Sequence, residues 1–152
     1  MNDVRIRPAL SSERKELEAL QWRASLSNAG DRNALLAHPD AIELTIEQIE
    51  AGGVFVAEWN GLVAGFSAVL PRADGETDLD ALFVEPATRR RGIGRMLVER
   101  CASVAREHGS TALHVVGNPH AEAFYLACGF EMTGTTETRF GAGLLLRKIL
   151  AS

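Results

Sequence analysis

Cysteine is scarce in this chain: two occur among 152 residues, Cys101 and Cys128, far apart and outside any C-x-x-C pair. That rules out a disulfide scaffold or a zinc ribbon and points to a reduced, cytoplasmic protein whose thiols pack as small apolar groups. Positive charge is not in excess either. The 16 Lys and Arg stand against 20 Asp and Glu, a formal charge of -4, and aromatic residues make up 6%. Both argue against a nucleic-acid partner. No apolar run is long enough to span a membrane, and Asp3, Arg5 and Arg7 interrupt the opening residues where a signal peptide would need an apolar stretch. His38, His108, His114 and His120 show no metal spacing, and no H-E-x-x-H occurs, so no metal is expected. Internal repeats, low-complexity linkers and like-charge blocks longer than Arg89, Arg90 and Arg91 are also missing. One domain over residues 3–150 is therefore expected.

What is present is a regular succession of periodic segments. Residues 4–7 alternate as a short strand closed by Pro8, and Leu17, Leu20 and Ala24 carry helical spacing within residues 12–29, with Ser11 or Ser12 placed to cap it. Thr45 and Gln48 form a capping box for a short helix ended by Gly52 and Gly53. Two apolar runs, 54–59 and 62–70, flank Asn60-Gly61, a tight-hairpin signal, and a turn over 72–76 leads to a strand over 78–84. The period then becomes helical through Ile93, Met96, Leu97, Cys101, Val104 and Ala105, stopping at Gly109. A strand over 113–116 follows. A strand, a helix and a returning strand make a right-handed crossover, which sets 78–84 and 113–116 parallel. Asn118 and Pro119 open a last helix that Gly129 ends, and strands over 130–138 and 144–150 complete the chain. The fold class expected is α/β, with a mixed, mostly antiparallel sheet flanked by helices.

Two constellations carry chemistry. Arg89-Arg90-Arg91-Gly92-Ile93-Gly94 lies between a strand end and a helix start, where first-turn amides and the helix dipole favour an anion. The glycines let a pyrophosphate approach the backbone, and the arginines add positive charge. A structural turn or a solvated basic patch would read the same way in isolation. No Gly-Lys-Ser or Gly-Lys-Thr follows, and position 97 is leucine, so both a Walker loop and a dinucleotide fingerprint fail. The second constellation is Asn118-Pro119-His120-Ala121-Glu122-Ala123-Phe124-Tyr125, closed by Gly129-Phe130, at the end of the other parallel strand. Open α/β sheets collect ligands at the edge where such helix N-termini face. Tyr125, the only tyrosine, lies seven residues past Asn118, on roughly the same face.

Taken together, R-x-x-G-x-G and Asn-Pro-x-Ala-x-x-Phe-Tyr-x-x-x-Gly-Phe resemble the GNAT superfamily of N-acetyltransferases. The order of elements is similar over residues 3–150 and the motifs match over 78–130, while the N-terminal third agrees only in layout. The resemblance implies that Arg89 opens a pyrophosphate loop and that amides of Arg90, Arg91, Gly92, Ile93, Gly94 and Arg95 hold the phosphates of coenzyme A. It also implies that backbone at Leu82, Phe83 and Val84 binds the thioester and pantetheine, lying where the strands ending at Val84 and Val116 splay. Asn118 matches a position beside the cofactor arm. Tyr125 matches the acid that protonates the departing thiolate, and the Leu82 amide the donor to the oxyanion.

The reaction asks for such groups in its own right. An amine of pKa ~10 must lose a proton before attacking a thioester, and a tyrosine of pKa ~10 is protonated at neutral pH and able to donate to a thiolate. Asp78 and Asp80 alternate with Leu79 and Ala81, so both carboxylates share a face. Asp78 is similar in place to the family's glutamate base, with a shorter arm that suggests a relay through water. An exposed strand end would equally account for both aspartates, and a core position for Tyr125. His120 reads as an exposed helix-start residue beside the site. Trp22 and the stretch holding Asp31, Arg32 and Asn33 are candidates to line an acceptor pocket.

The function expected is direct transfer of an acetyl group from acetyl-CoA to an amine of a small molecule or peptide, without a covalent enzyme intermediate and without metal, nucleic acid or membrane. A non-catalytic acyl-CoA sensor is the alternative. Edge strands near the C-terminus make a homodimer a further expectation.

Overall fold

A computed structural model describes residues 4–27, 44–88, 92–138 and 141–150. Seven strands form one sheet: β1 Val4–Pro8, β2 Val54–Trp59, β3 Leu62–Pro71, β4 Thr77–Val84, β5 Ala112–Gly117, β6 Glu131–Thr138 and β7 Gly141–Ile149. The helices are α1 Arg14–Leu26, α2 Ile46–Glu50, α3 Ile93–Glu107 and α4 Glu122–Ala127. Hydrogen-bonded neighbours run β1-β2-β3-β4-β5-β7-β6. The mixed sheet expected from the sequence is present: β1, β2 and β3 pair antiparallel, β4 and β5 pair parallel, and β7 pairs antiparallel with both β5 and β6. The insertion of β7 between β5 and β6 has no counterpart in the order of the sequence. Packing divides the chain into two compact units, one ending at Ala68 and resuming over Ala81–Leu97, the other holding Val69–Asp80 and everything from Val98 onward.

In the first unit the sheet is buried on both faces, which is why β3 reads as a continuous apolar run instead of an alternation. On one face Leu17 and Leu20 of α1 and Ile49 of α2 pack on Val54, Val56, Phe66 and Ala68, with Ala81 and Phe83 against them. On the other face Ile93 and Leu97 pack on Ala57 and Ala64, with Leu82 and Val84 against them. Leu17 and Leu20 are fully buried. Each contributes about 1.5 to 3 kcal/mol relative to exposure. Thr45 caps α2 as its spacing predicts, its hydroxyl accepting from the Gln48 amide at 3.1 Å. The expected serine cap of α1 is not used. Ser11 and Ser12 lie inside a 3-10 turn, Ser11–Glu13, and the Glu13 carboxylate accepts from the Leu10 amide at 2.9 Å instead. This charge-assisted bond closes the 3-10 turn, and α1 itself begins after Glu13 with no side-chain cap. Asn60 (φ 53°) and Gly61 (φ 80°) make the tight hairpin of β2 and β3 with two positive φ angles.

In the second unit, the parallel register sets Thr77 opposite Leu113 and Asp78 opposite His114. Polar groups hold its base. The Glu76 carboxylate accepts from the amides of Thr111 (3.1 Å) and Ala112 (2.9 Å), and the buried hydroxyls of Thr77 and Ser110 lie 2.7 Å apart. Beyond this, β5 runs beside β7 through six regular pairs, from Ala112 with Ile149 to Gly117 with Leu144.

Candidate active site

In the first unit the site begins at the end of β4. Ala81, Leu82, Phe83 and Val84 are all apolar and all half-buried, with alternate residues packed into the two cores described above. Gly65 of β3 makes room beside them: a β-carbon built there would lie 2.9 Å from the Phe83 carbonyl oxygen and within 3.3 Å of Ile93 and Leu97. The glycine thus lets the start of α3 sit close on the sheet. The chain leaves β4 through Glu85 and a 3-10 turn, Pro86–Thr88, closed by the Thr88 amide and hydroxyl, both 2.9 Å from the Glu85 carbonyl.

Arg89, Arg90 and Arg91 lie outside the described residues, as do Asp31, Arg32, Asn33 and His38. Gly92 follows at φ 76°, and its carbonyl accepts the Met96 amide at 3.1 Å, so it opens α3. Among the described residues beyond its chain neighbours, none comes within 4 Å of where its β-carbon would be. Conformation rather than space requires glycine there. Ile93, Gly94 and Arg95 form the first turn of α3, the part of a helix that offers amides to an anion. Ile93 is buried and fixes the turn on the sheet, while the Arg95 side chain is exposed.

In the second unit Tyr125 is the fixed point. It is 8% exposed, and its ring meets those of Phe124 and Phe130 edge-on, with centroids 5.3 Å apart in both pairs. Gly129 (φ 93°) ends α4 in a Schellman motif: the Phe130 amide donates to the Tyr125 carbonyl at 3.0 Å and the Gly129 amide to that of Leu126 at 3.1 Å. Lys148 of β7 adds a cation at this helix end, its ammonium donating to the Cys128 carbonyl at 2.5 Å. Burial, assisted by the neighbouring Cys128 thiol, pushes the Tyr125 phenol up to about 12. The phenol is therefore neutral across the physiological range.

Asn118 has the extended backbone of a cap (φ -73°, ψ 144°), and its carbonyl accepts the Ala121 amide at 2.9 Å, but its side chain does not cap the turn. The expected single helix is a 3-10 turn, Pro119–Ala121, followed by the short α4. Asn118 and His120 are exposed.

Asp78 lies beside His114 in the parallel register, whereas Tyr125 packs on Gly117, three residues further along β5 and so on the opposite face of the sheet. The carboxylate and the phenol are therefore on different faces. Asp78 stands 3.5 Å from Arg72, and Asp80 is exposed. The sequence reading missed three features. Glu76 is tied to the start of β5, Arg23 makes a forked pair with Glu85, and Gly117 sits under Tyr125. The first two join residues 35 and 62 positions apart. No spacing rule reaches that far.

Comparison with known proteins accords with this arrangement. The model of the Acetyltransferase (GNAT) family matches residues 15–130. The chain is 31% identical over 135 residues to the peptidyl-lysine N-acetyltransferase YjaB of Salmonella typhimurium, covering 88% of each chain. Among solved structures it resembles yncA of Salmonella typhimurium, a putative acetyltransferase with its cofactor acetyl-CoA (TM-score 0.73, 21% identity, 99% of this chain and 95% of the other). A GCN5-related N-acetyltransferase from Rhodopseudomonas palustris is similar at TM-score 0.77 and 20% identity, over 96% and 95%. The chain belongs to the GNAT family of acetyltransferases.

Proposed function

We propose that residues 3–150 act as one N-acetyltransferase domain that passes an acetyl group from acetyl-CoA directly to a primary amine, with the ε-amine of a lysine in a peptide as the acceptor class. The observation that carries the reading is Tyr125, the chain's one tyrosine, buried, clamped by the helix end behind it and held protonated. A neutral phenol carries the proton that a departing thiolate would take up.

Coenzyme A supplies the activated thioester and a thiol leaving group. The residues present fit it. Gly92 with the first turn of α3 offers amides where phosphates would bind, and the half-buried apolar end of β4 offers Leu82, Phe83 and Val84 to a pantetheine arm. Arg89, Arg90, Arg91, Arg95 and Asn118 enter the proposal by the family's pattern alone. Asp78 is the proposed acceptor of the amine proton through water, with Asp80 exposed beside it. Because they lie on the opposite face of the sheet from Tyr125, a chain of waters is the route proposed for carrying the amine proton to them. The lysine acceptor is supported by the peptidyl-lysine acetyltransferase to which the chain is similar over 88% of its length. A cytoplasmic setting, in keeping with two buried cysteines that form no disulfide, belongs to the same proposal.

The test is thiol release from acetyl-CoA by the purified protein, with lysine peptides set beside small amines, and mass spectrometry locating the acetyl group. Acetyl-lysine in the peptide is the expected product. Folded protein that binds acetyl-CoA yet releases thiol with no amine would refute the enzyme and leave the sensor.

A further inference from the structure

We infer that Arg23 is a positioning residue for coenzyme binding, acting through Glu85 on the turn that leads into the phosphate loop. The inference rests on the acetyltransferase reading. Glu85 is fixed from three sides. Its amide donates to the Ala64 carbonyl of β3 at 2.7 Å, and its carbonyl takes both bonds from Thr88. Its carboxylate is held by Arg23, whose Nε lies 3.0 and 3.2 Å from the two oxygens and whose Nη2 lies 2.6 Å from Oε2. Arg23 stands in the last turn of α1.

Two consequences follow for the loop. The fork ties the turn Pro86–Thr88 to α1 as well as to β3, so the head of this turn is held by two elements. Glu85 also places a negative charge at the head of the turn that leads towards α3, and the guanidinium cancels it. A forked geometry of this kind suits arginine. A lysine would supply the charge and lose the fork. Exposed ion pairs contribute little to folding, so the effect belongs in ligand affinity rather than in stability.

The experiment is calorimetric titration with acetyl-CoA, paired with steady-state kinetics and thermal melts. It covers the wild type, Arg23→Gln, Arg23→Lys, Glu85→Gln and the exchanged pair Arg23→Glu with Glu85→Arg. Arg23→Gln is expected to weaken acetyl-CoA binding about five- to tenfold, falling on KM for acetyl-CoA rather than on kcat, with the melting temperature nearly unchanged. Arg23→Lys should recover part of the loss, the exchanged pair most of it, and Glu85→Gln should lose less because it removes the opposing charge as well. Unchanged affinity in Arg23→Gln, or an exchanged pair no tighter than Arg23→Gln, overturns the inference. A wild type that folds but does not bind acetyl-CoA removes the acetyltransferase reading itself, and this inference with it.

Discussion

The ring of Tyr125 fills the space above Gly117 that a side chain would need: a β-carbon there would lie 2.9 Å from Cε2 and 3.2 Å from Cδ2 of the ring, and 3.1 Å from Cδ1 of Leu146. The glycine of β5 and the phenol of α4 are thus a matched pair, and the phenol's position depends on a missing methyl group. Gly117→Ala should displace the ring, costing about 1 to 3 kcal/mol of stability and lowering kcat. Acetyl-CoA affinity should be nearly unaffected. Denaturant unfolding with single-turnover kinetics checks this, and an alanine variant with full kcat would separate the packing from the chemistry.

Replacing the phenol leaves the packing and removes the proton. Tyr125→Phe should fold normally, bind acetyl-CoA as the wild type does, and turn over about 10² to 10⁴-fold more slowly, the range typical of a lost general acid. If thiol release continues at the wild-type rate, Tyr125 is a core residue alone.

The same burial gives an alkaline stability limb. The folded phenol titrates at about 12, above the ordinary value of 10.0. Stability is unaffected by this group below pH 10 and falls by about 3 kcal/mol as pH rises to 12, because the unfolded chain ionises first. Tyr125→Phe should flatten this limb in melts taken between pH 9 and 12.

At the acid end the sign reverses. The Arg7 guanidinium, 2.7 and 2.9 Å from the Glu13 oxygens, holds that carboxyl below its ordinary 4.5, and the amide of Leu10 adds to the effect. Backbone donation from Thr111, followed by that of Ala112, lowers Glu76 likewise. Stability is present above pH 4.5 and falls as these groups protonate. Glu13→Gln should reduce stability at pH 7 and weaken its fall between pH 5 and 3, as melts across that range would record.

Gly65 offers a parallel test in the first unit. Gly65→Ala brings a methyl group against the Phe83 carbonyl and the side chains of Ile93 and Leu97. It should cost about 1 to 3 kcal/mol and weaken acetyl-CoA binding by moving the first turn of α3 off the sheet. Affinity equal to the wild type in a stably folded variant would free the loop from this packing.

The sequence by itself determined the elements and the two motifs, because both are local. Helical and strand periods, the capping box at Thr45, the Asn60-Gly61 turn and the glycine that opens α3 are set by residues a few positions apart, whose backbone preferences act before any long-range packing. The Schellman end at Gly129-Phe130 was equally readable. Tertiary structure decided what no short spacing encodes. It put β7 inside β6, since edge choice depends on which strand best covers β5. It set Asp78 and Tyr125 on opposite faces, since register along β5 fixes facing. It gave the start of α1 to Glu13 rather than to a serine, because Arg7 of β1 and the Leu10 amide converge on that carboxylate. It also joined Arg23 to Glu85 and Glu76 to Thr111, pairs made by chain segments that meet only after the sheet has formed. Local preference needs only neighbouring residues. Facing, pairing and charge neutralisation need the assembled sheet.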